Sequence, residues 1–286
     1  MTPSVLITGA TGNTGKELTA KLVESGVKVR AGSRNFQKQT INNNMTVPIK
    51  FDWFDPSTHD AALKGVECMY LVPPPGVIDP VPIMKPFLHK AKRTGVRRVI
   101  LLSATVIQRG DRGLGQIHEE LTNLFPEWTV LRPSWFMQNF TGDHPHATNI
   151  RENNLICTAT ENGRIGFIDA YDIANVAFHA LITEKPLNRD LILTGPEALS
   201  YNDIAEVIST VREPAVQHQQ VSLDQLQQLH TTSGLPEEFA NMLAHADQLI
   251  ANGFEDRVTN EVEAITGTPP VSFAHFASKH WSKIKI

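Results

Sequence analysis

The chain has 286 residues, enough for one large α/β unit or for a larger domain with a smaller appendage. With 41% apolar and 20% charged residues it has the composition of an ordinary soluble globular protein. Its formal net charge is -4, without a long single-sign run, which excludes nucleic acid as the main partner, because a phosphate backbone wants a basic face. The arginines at Arg93, Arg97 and Arg98 read as a solvated loop ending a helix. Cys68 and Cys157 are far apart and in no metal-ligand spacing, so buried free thiols in a reducing compartment are expected. The opening residues show no signal-peptide pattern, and no stretch approaches the roughly 20 apolar residues that span a bilayer. A cytoplasmic protein with no membrane partner is the expectation, with a small molecule as its substrate and a monomer or homodimer as its state.

In chain order, Ser4 to Thr8 is an apolar run ending at a glycine and reads as a buried strand. Thr14 to Ser25 is helical, closed by Gly26. Val27 to Ala31 and Val47 to Asp52 are strands, Pro56 to Lys64 a helix, and Val66 to Val72 a strand. Pro82 to Thr94 (helix), Val99 to Ser103 (strand), Leu114 to Phe125 (helix) and Thr129 to Arg132 (strand) continue the alternation. Strands that are nearly all apolar, alternating with helices, predict a parallel sheet covered on both faces. Beyond Arg132 the pattern loosens. Asp172 to Thr183 is a helix that Asp172 caps, Leu191 to Leu193 a strand, and Tyr201 to Thr210 a helix. Helices at Leu223 to His230, Pro236 to Asn252 and Val271 to Lys283 complete the chain. The fold class is α/β: a Rossmann-type doubly wound parallel sheet with a smaller, mainly helical C-terminal substrate part. The approximate division is 1–140 and 141–286, with segments of the middle returning to the sheet.

Residues 8–15 read TGATGNTG, placing Gly9, Gly12 and Gly15 between the first strand and its helix. A glycine is needed where the chain turns out of the strand, another where backbone approaches a pyrophosphate, and a third where helix meets strand. Thr11, Asn13 and Thr14 belong to the same turn, and the helix N-terminus offers N–H groups to the anion. After the second strand stands Gly32-Ser33-Arg34, with Lys38 nearby, in place of the acid that would bind a ribose 2′-OH. Ser33 and Arg34 suit a 2′-phosphate, so the cofactor is expected to be NADP(H). Asp52 either reads the adenine edge or starts the following turn. Pro73 and Pro74 lie in a stiff loop after the fourth strand, where ligand crevices form.

TGATGNTG, SRN at 33–35, FDWFDPST at 51–58, LLSA at 101–104, VLRPSWFMQNF at 130–140 and DAYDIA at 169–174 together resemble the NmrA-like atypical short-chain dehydrogenases, over nearly the whole chain. Within that group GQIHEEL and VLRPSWFMQNF are most similar to the fungal ergot-alkaloid reductases, the festuclavine and agroclavine dehydrogenases. Type-2 quinone oxidoreductases and triphenylmethane reductases are more distantly similar. The resemblance implies an NAD(P)H-dependent oxidoreductase of small molecules. Short-chain dehydrogenases usually combine a Ser with a Tyr and Lys spaced Y-x-x-x-K, and Ser103 stands where that Ser would. The three tyrosines of this chain are Tyr70, Tyr171 and Tyr201, none in the helix after Ser103, and no lysine lies between Lys92 and Lys185.

That absence carries chemistry. A carbonyl reductase must protonate an alkoxide as it forms. An iminium ion becomes a neutral amine on hydride addition and needs no proton, and a quinone gives a weakly basic phenolate that takes one from water. The expected function is therefore an NADP-dependent reductase of an iminium-like or conjugated acceptor, in alkaloid-type secondary metabolism. A quinone or dye reductase, an NADP-sensing regulator without activity, and a non-redox cyclase or isomerase are the alternatives. His118 and Glu119 are candidates beside Ser103: the imidazole to donate a proton or line the site, the carboxylate of Glu119 or Glu120 to favour a cation. The competing reading makes them helix surface. Trp135, Phe136 and Met137 either form an apolar surface for a flat substrate or pack the core. Met242, Leu243, Leu249 and Phe254 are core or a lid. His144 and His146, in a loop, lack a third ligand, and no metal is expected.

Overall fold

A computed structural model describes residues 4–35 and 44–281. It shows nine strands and eleven helices among the described residues. In the first half β1 (Ser4–Thr8), β2 (Lys28–Ser33), β3 (Thr46–Lys50), β4 (Val66–Leu71), β5 (Arg98–Leu102) and β6 (Glu127–Pro133) alternate with α1 (Asn13–Glu24), α2 (His59–Leu63), α3 (Val81–Arg93) and α4 (Leu114–Leu124). Then follow α5 (Pro145–Asn153), β7 (Leu155–Thr158), α6 (Ala170–Ile182), β8 (Arg189–Leu193), α7 (Tyr201–Val211) and β9 (Gln217–Gln220). The chain closes with α8 (Leu223–Thr232), α9 (Glu237–Ala251), α10 (Glu261–Thr266) and α11 (Phe273–Trp281).

The seven-stranded sheet runs β3-β2-β1-β4-β5-β6-β8, and every pairing from β3 to β6 is parallel. The strands are apolar because helices cover them. β5 is buried along its length, and Leu6, Ile7, Val29, Met69 and Leu101 are at most marginally exposed. The chain leaves β1 first to β2 on one side and later to β4 on the other. That reversal makes the carboxyl ends of β1 and β4 the switch point where doubly wound sheets bind ligands.

The chain divides into two compact units: Met1–Pro133 with Ala170–Ile192, and Ser134–Asp169 with Leu193–Ile286. The division falls before the expected residue 140, because the Ser134 N–H already bonds Leu193 O at 2.9 Å inside the second unit. The first unit regains α6, which packs on α1. Asp172, expected as a cap, is buried inside the first turn of α6.

The second unit is mainly helical, built on an aromatic core of Phe140, Phe167, Tyr201, Phe273 and Phe276. It also holds the parallel pair β7–β9 and α5, none of which the apolar pattern announces. His146 lies in the first turn of α5 rather than in a loop, and His144, just before the helix, caps it, its ring accepting the His146 N–H at 3.2 Å. The His146 ring stacks on Phe140 at 5.7 Å. Among the described residues no helix is long and apolar enough to cross a membrane, and no cluster of three potential metal ligands gathers.

Burial lowers the His146 imidazole to about 3 and that of His144 to about 4. His218 and His230 are displaced in the same direction. All four bind their proton less readily in the folded protein than in the unfolded chain, which protonates them below about pH 6.5. Their contribution to stability is thus present above that pH and lost as pH falls. Asp247, raised to about 6 by burial, works in the opposite sense over the carboxylate range and offsets part of the effect. The melting temperature should fall from about pH 7 to about pH 5, and His146→Phe, which keeps a ring against Phe140, should reduce the fall. A melting temperature flat in pH, or an unchanged fall in the variant, would contradict this.

Candidate functional site

At the carboxyl ends of β1 to β4 the first unit holds a cavity of about 260 Å³. That is slightly below the roughly 300–1,000 Å³ of pockets that enclose a drug-sized ligand whole. Of the expected cofactor residues, Gly9, Thr11, Gly12, Ser33, Arg34, Asp52 and Pro73 line it. Asn13, Thr14, Gly15 and Pro74 do not. Lys38 lies outside the described residues.

The turn works through backbone geometry. Gly9 has φ +65°, a left-handed conformation that favours glycine, and accepts the Gly12 N–H at 2.9 Å. Ala10 N–H bonds Gly32 O at 3.1 Å and ties the turn to the end of β2. Gly15 supports the turn from below: a β-carbon there would press on Gly9 O and lie 2.9 Å from Ala10 Cα. Thr14 is buried and accepts the Tyr70 hydroxyl at 3.0 Å, so its role is to seat α1 on β4. Gly12 caps α1 without a side-chain bond, and no acid sits in the first turn. The first N–H groups and the positive dipole end of the helix are thus left for an anion.

Val72 and Pro75, from the stiff loop expected to wall the crevice, also line the cavity, as do the aromatics Phe51, Trp53 and Phe54, which were not among the expected cofactor residues. Trp53 donates its indole N–H to Val72 O at 3.0 Å. Its ring meets Phe51 edge-on at 4.9 Å and Phe87 at 5.1 Å. Asp52 starts a turn, accepting the Phe54 N–H on Oδ1 at 3.0 Å, while its side chain still borders the cavity. The aromatic run at 51–54, part of the FDWFDPST motif that carries the family resemblance, is the sequence signal for them.

The expected catalytic residues stand elsewhere in the first unit. Ser103 directly follows β5, its N–H bonded to Leu131 O at 2.7 Å. Arg132 fixes the same loop, donating to Thr105 O at 2.8 Å while pairing with Asp190 at 2.7 Å. His118 is 2% exposed on α4, its ring 5.7 Å from Trp128 and its Nε2 without a partner. Burial holds this imidazole below its ordinary pKa. Glu119 is exposed, 4.0 Å from Arg109. Glu120 pairs with Lys85 at 2.9 Å and His89 at 2.7 Å. Although burial alone would raise it, those partners hold the Glu120 carboxyl below the usual range.

In the second unit Trp135 and Phe136 are half-buried, and Met137 is 1% exposed within the core, so Met137 presents no face to a ligand. Both cysteines are free and half-buried rather than fully enclosed.

Gly15→Ala should destabilise the first unit by about 1–3 kcal/mol, because its contact is backbone that no rotamer can clear. It should also weaken dinucleotide binding. Denaturant unfolding and NADPH fluorescence titration measure both; wild-type values for each would contradict the tight helix–turn contact.

Two family models match: NAD(P)H-binding over residues 9–183 and the NmrA-like family over residues 115–271. An uncharacterized oxidoreductase of Bacillus subtilis (strain 168), YesF, is 42% identical, covering 96% of this chain and 94% of its own. Agroclavine dehydrogenase of Claviceps purpurea (strain 20.1) is 37% identical, covering 96% of each. In structure, the NADPH-dependent quinone oxidoreductase of Escherichia coli, solved with NADPH, superposes with a TM-score of 0.81 at 22% identity, covering 96% of this chain and 99% of its own. The chain belongs to the NmrA-like family, as one of its NAD(P)H-binding oxidoreductases.

Proposed function

We propose that this protein is an NADPH-dependent reductase that delivers hydride to an iminium-like or conjugated small molecule. The observation that carries the reading is the state of its three tyrosines. Tyr70 is buried, with its hydroxyl committed to Thr14, and burial pushes its phenol far above the usual range. Tyr201 is buried in the aromatic core of the second unit. Tyr171 lies on α6 with the Lys21 ammonium 4.1 Å above its ring. None follows Ser103 on α4, and no lysine lies between Lys92 and Lys185.

An acceptor that makes a basic alkoxide would therefore lack its usual donor. General acid catalysis is worth about 10²–10⁴-fold, too much for an efficient carbonyl reductase to forgo. An iminium carbon accepts hydride and yields a neutral amine. The protein then has only to bind the cofactor and orient the two reactants. Kinship with agroclavine dehydrogenase supports an acceptor of that alkaloid kind. Quinones satisfy the same chemical condition, and the fold shared with the quinone oxidoreductase keeps them as the second reading. For the cofactor, Ser33 and exposed Arg34 at the end of β2 supply a hydroxyl and a guanidinium fork to a 2′-phosphate.

Stopped-flow oxidation of NADPH should proceed with a cyclic iminium or a quinone, and run at least about a hundredfold slower with a matched ketone. Ketone turnover at a comparable rate would contradict the reading. Arg34→Gln should reduce kcat/KM for NADPH about tenfold or more and leave NADH nearly unchanged, the cost of one charge-assisted contact. An equal effect on both cofactors would remove Arg34 from phosphate recognition.

A further inference from the structure

We propose that the ring of Phe54 is the face on which the adenine base of the dinucleotide stacks. The inference rests on the NADPH reading above and deepens it. Phe54 is 61% exposed, although it borders the cavity. Leaving so much of a phenyl ring in water forgoes the stabilisation its burial would give, and the residue is not a loose surface side chain.

Its backbone is pinned on both sides. The Phe54 N–H donates to Asp52 Oδ1 at 3.0 Å. The preceding Trp53 is 8% exposed and anchored to Val72 O. The following Asp55 accepts from Ser57 N–H at 3.2 Å and pairs with Lys50 at 3.3 Å. A rigid turn thus holds an apolar ring open at the rim.

Position selects the ligand part. Ser33 and Arg34 mark where the ribose 2′-substituent sits, and the base hangs from the same sugar. Of the aromatic rings among the residues lining this cavity, Phe51 and Trp53 are 3% and 8% exposed and packed against each other and Phe87. Phe54 is the ring with a free face. Asp52, the residue placed to read the base edge, already spends Oδ1 on the turn. The base is therefore gripped chiefly through its π face, a mode worth about 5- to 150-fold in affinity per stacked base.

The test compares Phe54→Ala and Phe54→Trp with the wild type. Binding of NADPH and of 2′,5′-ADP is measured, together with turnover of reduced nicotinamide mononucleotide, which has no adenine. Phe54→Ala should weaken NADPH and 2′,5′-ADP about 5- to 150-fold, Phe54→Trp should restore them, and the mononucleotide should be used equally by all three proteins. Unchanged binding in Phe54→Ala would overturn the assignment. So would an equal loss with the mononucleotide, which would mean general damage to the turn. A wild type that binds no NADPH would remove the parent reading and this inference together, whereas wild-type binding with an indifferent Phe54→Ala removes only the inference.

Discussion

The pocket depends on one residue, Val72. Its N–H donates to Thr8 Oγ1 at 2.8 Å, and its carbonyl accepts the Trp53 indole at 3.0 Å. Its side chain fills the space beside Gly9, where an added β-carbon would lie 3.2 Å from Val72 Cβ. The glycine turn after β1, the aromatic loop after β3 and the proline loop after β4 are thereby fixed to one another. Each bond alone contributes about 1 kcal/mol, but here the partners are rigid elements, so loop positions follow from sheet register. Thr8 and Tyr70 lie on neighbouring parallel strands, and Tyr70 in turn seats α1 through Thr14. The N-terminus of α1 and the walls of the cavity share that frame.

Much of this frame is legible in the sequence, for a physical reason. Parallel strands buried on both faces must be apolar throughout, and glycine is required where backbone crowds backbone. SVLIT followed by TGATGNTG therefore announces both strand and turn. The second unit is harder to read. β9 is QHQQ, polar and largely exposed, and it exists because its backbone pairs with β7. α5 begins at a proline and carries few apolar residues, and the His144 ring supplies its cap. Neither obeys a periodicity that could be counted beforehand.

Site residues divide the same way. Gly9, Gly12, Ser33 and Arg34 line the cavity, and their place there is legible because backbone freedom, a hydroxyl and a charge are properties that residue type declares. His118 and Met137 are not, because burial decides between catalysis, ligand contact and packing, and residue type leaves burial open. Phe51, Trp53 and Phe54 fall within four residues of sequence, yet the fold buries two and exposes one. A phenylalanine becomes a platform only when the turn beneath it holds its ring in the open.

The chemistry follows from what the frame lacks as much as from what it holds. With its tyrosines committed elsewhere, the protein supplies orientation, and its acceptor must bring the electrophilicity. The most direct measurement is a pair of kinetic isotope effects on single-turnover NADPH oxidation with an iminium acceptor. Deuterium at the transferred position of the nicotinamide should slow the reaction, while deuterated solvent should leave the rate constant near its value in water. A large solvent effect, with a rate that follows the titration of a single acid, would show that the protein donates a proton in the rate-limiting step and would contradict the account.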